Sequence, residues 1–185
     1  MHATVCDMIT DLVQNGVEAG AACVGLEITT GPARLSVRVT DNGKGMDAAT
    51  LKRISDPFYT EAGKHDHRRV GLGVPLLLQT AEACNGKAEI VSEPGRGTTV
   101  TFELDATHVD TPPLGNLPAT LLGLMTFSGD YDLVVTRRTP TDSYMISRKE
   151  LLETLGDLTS SGNLVLARDF LRAQEESLDG ESAAD

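Results

Sequence analysis

The segment Asp11-Leu12-Val13-Gln14-Asn15-Gly16-Val17-Glu18-Ala19-Gly20-Ala21 pairs a carboxylate with a carboxamide four positions later. On a helix that spacing puts both side chains on one face, a turn apart. The asparagine oxygen is a neutral ligand for a hard cation such as Mg²⁺, and the carboxylate can orient or deprotonate a water. An ordinary solvated helix face would show the same pattern. In Asp41-Asn42-Gly43-Lys44-Gly45-Met46 a carboxylate ends an alternating stretch and two glycines follow. Such an Asp is a rigid acceptor for an exocyclic amine like that of adenine, and glycine lets backbone approach a flat ligand closely. A hairpin turn also uses Asp-Asn-Gly, but it requires neither the second Gly nor Met46.

Two further segments carry weaker signals. Asp56-Pro57-Phe58-Tyr59-Thr60 precedes Gly71-Leu72-Gly73-Val74-Pro75. Glycines that open a helix present backbone N–H groups and the positive helix end to phosphates. Between them lie Lys64, His65, His67, Arg68 and Arg69, a basic cluster in an acidic chain. It suits a lid over a polyphosphate. The two histidines lack a third ligand partner and read as an exposed loop rather than a metal site. In Gly95-Arg96-Gly97-Thr98-Thr99-Val100, the Thr98 hydroxyl can support a carboxylate on a neighbouring strand, Asp41 being the candidate, or can simply reflect strand propensity.

These residues need elements to hold them. Residues 4–19 read as a helix with Val5, Met8, Ile9, Leu12 and Gly16 on its core side. Asp7, Asp11, Asn15 and Glu18 share another side, within roughly 80°. Val24, Leu26 and Ile28 alternate, as do Leu35, Val37 and Val39, with Gly31-Pro32 as the turn between two strands. A short helix capped by Asp47 carries Leu51 and Ile54. Another helix starts near Pro75 and stops at Asn85-Gly86. Strands 87–92 and 98–104 close a second hairpin. Helices between strand pairs predict an α+β, two-layer sandwich with one mixed sheet covered by helices on one face. Past a Pro/Gly-rich linker at 105–116, the pattern reads helix 117–126, hairpin 131–138 and 143–148, and helices 149–158 and 163–176. Residues 177–185 read as an acidic tail.

The chain of 185 residues carries 27 acidic and 16 basic residues, a formal charge of −11. That balance argues against binding nucleic-acid backbones or anionic membranes. Its length supports a core without disulfides or metal. The three cysteines, Cys6, Cys23 and Cys84, show no CxxC spacing, so reduced thiols in a cytoplasmic protein are expected. Neither a membrane-spanning run nor a signal peptide is visible.

Taken in order, these segments resemble the boxes of the GHKL, or Bergerat-fold, ATPase superfamily, which includes gyrase, large chaperones, mismatch-repair ATPases and histidine kinases. DLVQNGVEAGA looks like the N box, DNGKGMD the first glycine box, DPFYT the F box, GLGVPLLL the second glycine box and GRGTTVTFEL the final strand box. The resemblance spans about residues 4–104 and implies a histidine kinase-like ATP-binding domain. By that resemblance Asn15 ligates Mg²⁺ and Asp41 accepts from the adenine amine, with Thr98 helping through a water. Gly43, Gly45 and Met46 line the adenine pocket. Phe58 and Leu72 belong to the nucleotide site, Gly71 and Gly73 meet the phosphates, and residues 59–70 form the lid. Asp11 stands where the gyrase-like branch places a general-base Glu. Its shorter side chain sets the carboxylate back by about 1.5 Å, which slows attack by water.

The expected organisation is an ATP-binding domain at 1–106, a C-terminal αββαα appendage at 107–176 for interaction or dimerisation, and a disordered tail at 177–185. The expected function is an Mg-ATP-binding, kinase-like catalytic or regulatory subunit acting on a separate protein. The alternatives are an ATP-sensing module without phosphotransfer and a weak ATPase. The expected partners are ATP and a protein not identified by the sequence, with a homodimer possible.

Overall fold

The first helix is fixed at its start. Thr4 Oγ1 accepts from the Asp7 N–H at 3.2 Å, and Asp7 Oδ2 accepts from the Thr4 N–H at 2.8 Å. This reciprocal cap satisfies donors that helix geometry leaves without partners. The N–H groups of Val5 and Cys6 donate to the carbonyls of Pro113 and Leu114, both at 2.9 Å. Helix α1 (Val5–Glu18) buries Val5, Met8, Ile9, Leu12, Val13 and Gly16. The computed structural model describes residues 3–54 and 73–180.

Strands β1 (Cys23–Thr30), β2 (Arg34–Asp41), β3 (Lys87–Glu93), β4 (Gly97–Asp105), β5 (Asp132–Arg138) and β6 (Ser143–Ser147) form one sheet in the order β3-β4-β2-β1-β5-β6. Neighbours are antiparallel except β1 and β5, which run parallel. The sheet is therefore mixed. Val24, Leu26, Ile28, Leu35, Val37, Val39, Phe102, Leu104, Leu133 and Val135 are buried on one face. On the other, Glu27, Thr29, Arg38 and Thr40 are exposed. Period-two alternation produces this division, and the helices α1, α3 (Gly73–Ala83), α4 (Leu117–Met125) and α6 (Ser161–Gly180) cover the apolar side. The short α2 (Ala48–Ile54) begins after Asp47, whose Oδ1 accepts from the Thr50 N–H at 2.7 Å. That bond holds the Asp47 carboxyl below its ordinary range.

The elements after β4 match the expected αββαα order, with α5 (Arg148–Leu155) before α6. The β5–β6 hairpin adds to the edge of β1, so sheet and core run unbroken across residues 106 and 107. Helix α6 is longer than the predicted 163–176. It continues to Gly180 and buries Leu178, one more apolar position at helical spacing after Leu171, so residues 177–180 are helix rather than tail.

Two arginines fasten this half. Arg148 Nε donates to the Met125 carbonyl at 2.8 Å and its Nη1 to the Tyr131 carbonyl at 2.7 Å. The guanidinium also lies over the Tyr131 ring at 4.5 Å. Arg137, 5% exposed, donates to Thr30 Oγ1 at 2.8 Å and lies within ion-pair range of Glu175 Oε1 at 3.4 Å. Tyr144 donates to the same Glu175 oxygen at 2.5 Å, which ties α6 to β6. Burial first, then the bond to Glu175, pushes the Tyr144 phenol well above its ordinary range. The folded phenol thus holds its proton more tightly than the unfolded one. Its contribution is present below the unfolded value of about 10 and is lost as pH rises beyond it. Tyr144→Phe should flatten the alkaline arm of the pH–stability curve and cost about 1 kcal/mol at neutral pH, read by urea unfolding. An unchanged alkaline arm would count against the phenol as its source.

Candidate functional site

At one end of the sheet, strand register lines up three polar side chains on the helix-facing side. Asp41 ends β2 opposite Thr98 of β4, and Thr98 lies opposite Ser92 of β3. Apolar residues continue the same faces inward, through Val39, Val100 and Ile90. The three polar groups therefore stand where the core opens. Asp41 Oδ1 accepts from the Gly43 N–H at 2.8 Å, which fixes the carboxylate and leaves Oδ2 for another donor.

The loop after Asp41 is gripped from two sides. Toward α1, the Lys44 N–H donates to the Ala19 carbonyl at 3.0 Å, and a Cβ on Gly43 would lie 2.9 Å from that of Ala19. Toward the β3–β4 turn, the Gly95 N–H donates to the Lys44 carbonyl at 2.7 Å, and the Met46 N–H donates to Ser92 Oγ at 2.9 Å. Gly45 has φ of +62° and Gly97 +98°. A Cβ at either would come within 1.9 Å of a carbonyl oxygen, that of Glu93 or of Asp41 respectively. Only glycine fits both the dihedral and the space.

Helix α1 supplies the other wall. A Cβ on Gly16 would sit 3.0 Å from Asp41 Cβ, so the helix crosses directly over the carboxylate. Asn15, next in sequence, is exposed, and Asp11 lies one turn earlier, half-buried. Asp11 Oδ2 would be 3.1 Å from a Cβ on Gly73, which places this carboxylate against the first turn of α3. The structure therefore brings Asp11, Asn15, Asp41, Gly43, Gly45, Met46, Gly73 and Thr98 to the same end of the molecule. Phe58, Gly71, Leu72 and the lid at 59–70 lie outside the described residues. His65 and His67 do as well.

Ser92 was missed by reading the sequence. Its signal was present, because a strand at 87–92 facing one at 98–104 sets Ser92 across from Thr98. The backbone of the C-terminal half also reaches this end: Asp132 N–H donates to the Ala22 carbonyl at 2.9 Å, three residues after Ala19. A cleft of about 500 Å³ lies at the other end of β2 and β4, lined by Arg34, Lys87, Glu103 and Asp105 among others. Its cations already pair with Glu103, at 3.1 and 3.4 Å, so it offers little to an anion.

Among the described residues, no group of three or more His, Cys, Asp or Glu could hold a metal ion. Asn15, exposed beside Gly16, would offer Mg²⁺ one neutral oxygen, the remaining ligands coming from phosphates. Asp41 Oδ2 and the glycine loop beside it are the groups that could meet a flat base here. No described helix is long and apolar enough to cross a membrane.

The family model described as "Histidine kinase-, DNA gyrase B-, and HSP90-like ATPase" matches residues 3–108, more than half of the chain. Sensor histidine kinase YxdK of Bacillus subtilis is 36% identical over 70 residues, 37% of this chain and 22% of that protein. Sporulation kinase C of the same organism is 34% identical over 92 residues, 48% of this chain and 20% of that protein. The chain thus spans about a fifth of the length of these curated relatives. A solved structure titled "Crystal Structure of N terminal domain of a DNA repair protein" superposes with a TM-score of 0.55 at 16% identity. It covers 85% of this chain and 58% of that one, so the shared fold reaches past residue 108.

Proposed function

The chain belongs to the histidine kinase-, DNA gyrase B- and HSP90-like ATPase family, and from that premise we propose that it is a Mg-ATP-binding, kinase-like subunit acting on a separate protein. Family membership implies ATP binding. The observation that supports the finer reading is the convergence of Asp41, the Gly43–Met46 loop, Asn15 and Gly73 on one cleft. Asp41 Oδ2 accepts from the adenine amine, and the clamped glycine loop supplies the surface against which the base lies. Asn15 offers its carboxamide oxygen to the cation that accompanies the triphosphate. When bound, Mg²⁺ neutralises phosphate charge and orients the terminal phosphoryl group. The N–H groups at the start of α3 face the phosphates, where the helix end favours negative charge. The kinases among its relatives support transfer to a protein acceptor. We place the protein in the cytoplasm, in keeping with its three free thiols.

The short side chain of Asp11 favours a second reading, an ATP-sensing module that does not hydrolyse. Incubation with γ-labelled ATP and a cell lysate separates the two. A labelled protein is the expected product; free phosphate alone would point to an ATPase, and neither product to a sensor. The metal role has its own check. Asn15→Ala should erase most of the Mg²⁺ dependence of ATP affinity, about tenfold at 1.4 kcal/mol for one ligand bond, and calorimetry with and without Mg²⁺ reads it. Retained dependence would move the metal to another residue.

A further inference from the structure

We infer that Ser92 is a positioning residue that makes the Thr98 hydroxyl an obligate acceptor and so sharpens selection for a base bearing an exocyclic amine. The inference rests on the reading of this cleft as a nucleotide site. Ser92 Oγ has three polar neighbours: the Met46 N–H at 2.9 Å, the Gly97 carbonyl oxygen at 3.0 Å and Thr98 Oγ1 at 2.9 Å. A hydroxyl has one hydrogen and two lone pairs. The Met46 amide can only donate and the Gly97 carbonyl can only accept. With all three contacts kept as hydrogen bonds, the Ser92 hydrogen goes to Gly97, and one of its lone pairs takes the Met46 N–H. What remains is a second lone pair, so Thr98 must donate to Ser92. All three capacities of the serine are then filled, and the one hydrogen of Thr98 is engaged.

The consequence lies on the other side of Thr98. Its hydroxyl retains only lone pairs for the cleft, and Asp41, directly across the strand pair, offers a carboxylate. Two acceptors side by side suit an amine, met directly or through a water, and oppose a carbonyl oxygen at the same place. Discrimination arises from buried polar groups left without partners when the wrong base enters. Ser92 also ties the end of the glycine loop to β3 through Met46, so the same hydroxyl sets both the floor and the hydrogen-bond sense of the pocket.

The test uses an isosteric pair in the full chain, Ser92→Thr, which keeps the hydroxyl, and Ser92→Val, which does not. Affinities for ATP and for inosine triphosphate, whose base carries a carbonyl in place of the amine, are measured by calorimetry beside thermal unfolding midpoints. The preference for ATP should stay within about twofold of wild type in Ser92→Thr and narrow by about tenfold in Ser92→Val, the scale of one hydrogen bond. Ser92→Ala is expected to narrow it likewise and serves if the valine chain does not fold. A Val or Ala chain that binds ATP with undiminished preference would overturn the role of Ser92 while leaving the nucleotide site standing. Equal loss of both ligands with the preference kept would make Ser92 merely structural and also overturn it. Wild-type protein that binds neither triphosphate would remove the site itself, and the inference with it.

Discussion

Asp41→Asn should lower ATP affinity by about 100-fold or more and leave the fold intact. The reason is directional. Asp41 Oδ1 already accepts from the Gly43 N–H at 2.8 Å. An asparagine here keeps its oxygen at that position, because turning the amide would set N–H against N–H. Its NH₂ group then faces the place proposed for the base, whose amine is also a donor. A charge-assisted bond becomes a clash of like groups in a half-buried setting. Loss of a hydrogen bond to a charged partner costs about 1.5–3 kcal/mol, the repulsion adds to it, and each 1.4 kcal/mol is tenfold in affinity. Calorimetry measures the change, and circular dichroism checks that the variant remains folded. A dissociation constant within a few-fold of wild type would remove Asp41 from the base-binding role.

A chain cut after residue 106 should not fold cooperatively. The residues matched by the family model end near this point, yet the structure gives them no separate core. β1 would lose β5, its partner along seven register positions from Cys23 to Thr29. The buried Leu117, Leu121, Leu124, Met125, Leu133, Val135 and Leu171 would leave the cluster that also holds Ile9, Leu26 and Ile28. At about 2–5 kcal/mol for each large aliphatic side chain removed, a few of these exceed the 5–15 kcal/mol of a typical domain. The N–H groups of Val5 and Cys6 would also lose the Pro113 and Leu114 carbonyls. Thermal unfolding followed by circular dichroism tests this. A sharp transition near that of the full chain would show that residues 1–106 suffice.

Local pattern carries much of this fold. The core side of α1, the alternation in β1 and β2, and the stops at Asn85-Gly86 and Pro94-Gly95 are all properties of neighbouring residues. Asn85 indeed adopts φ of +50°, a conformation that ends a helix. The face shared by Asp11 and Asn15 follows from helical spacing alone. What local pattern does not carry is pairing at a distance. Alternation in 131–138 marks a strand, but nothing near it says that it lies parallel to β1. A buried Arg137 looks polar and exposed until Glu175, itself held by Tyr144, comes round to meet it. The role inferred for Ser92 rests on pairing across the β3–β4 hairpin, where it faces Thr98, six positions on in the chain.

Cys6 and Cys84 are buried, whereas Cys23 is exposed. Its backbone N–H donates to Asn42 Oδ1 at 2.9 Å, so it borders the glycine loop itself. A maleimide dye would therefore attach at one place on the unaltered chain, beside the loop proposed to line the base. The protein comes with its own fluorescent reporter position, and changes in emission on titration would follow occupancy in real time without a single substitution.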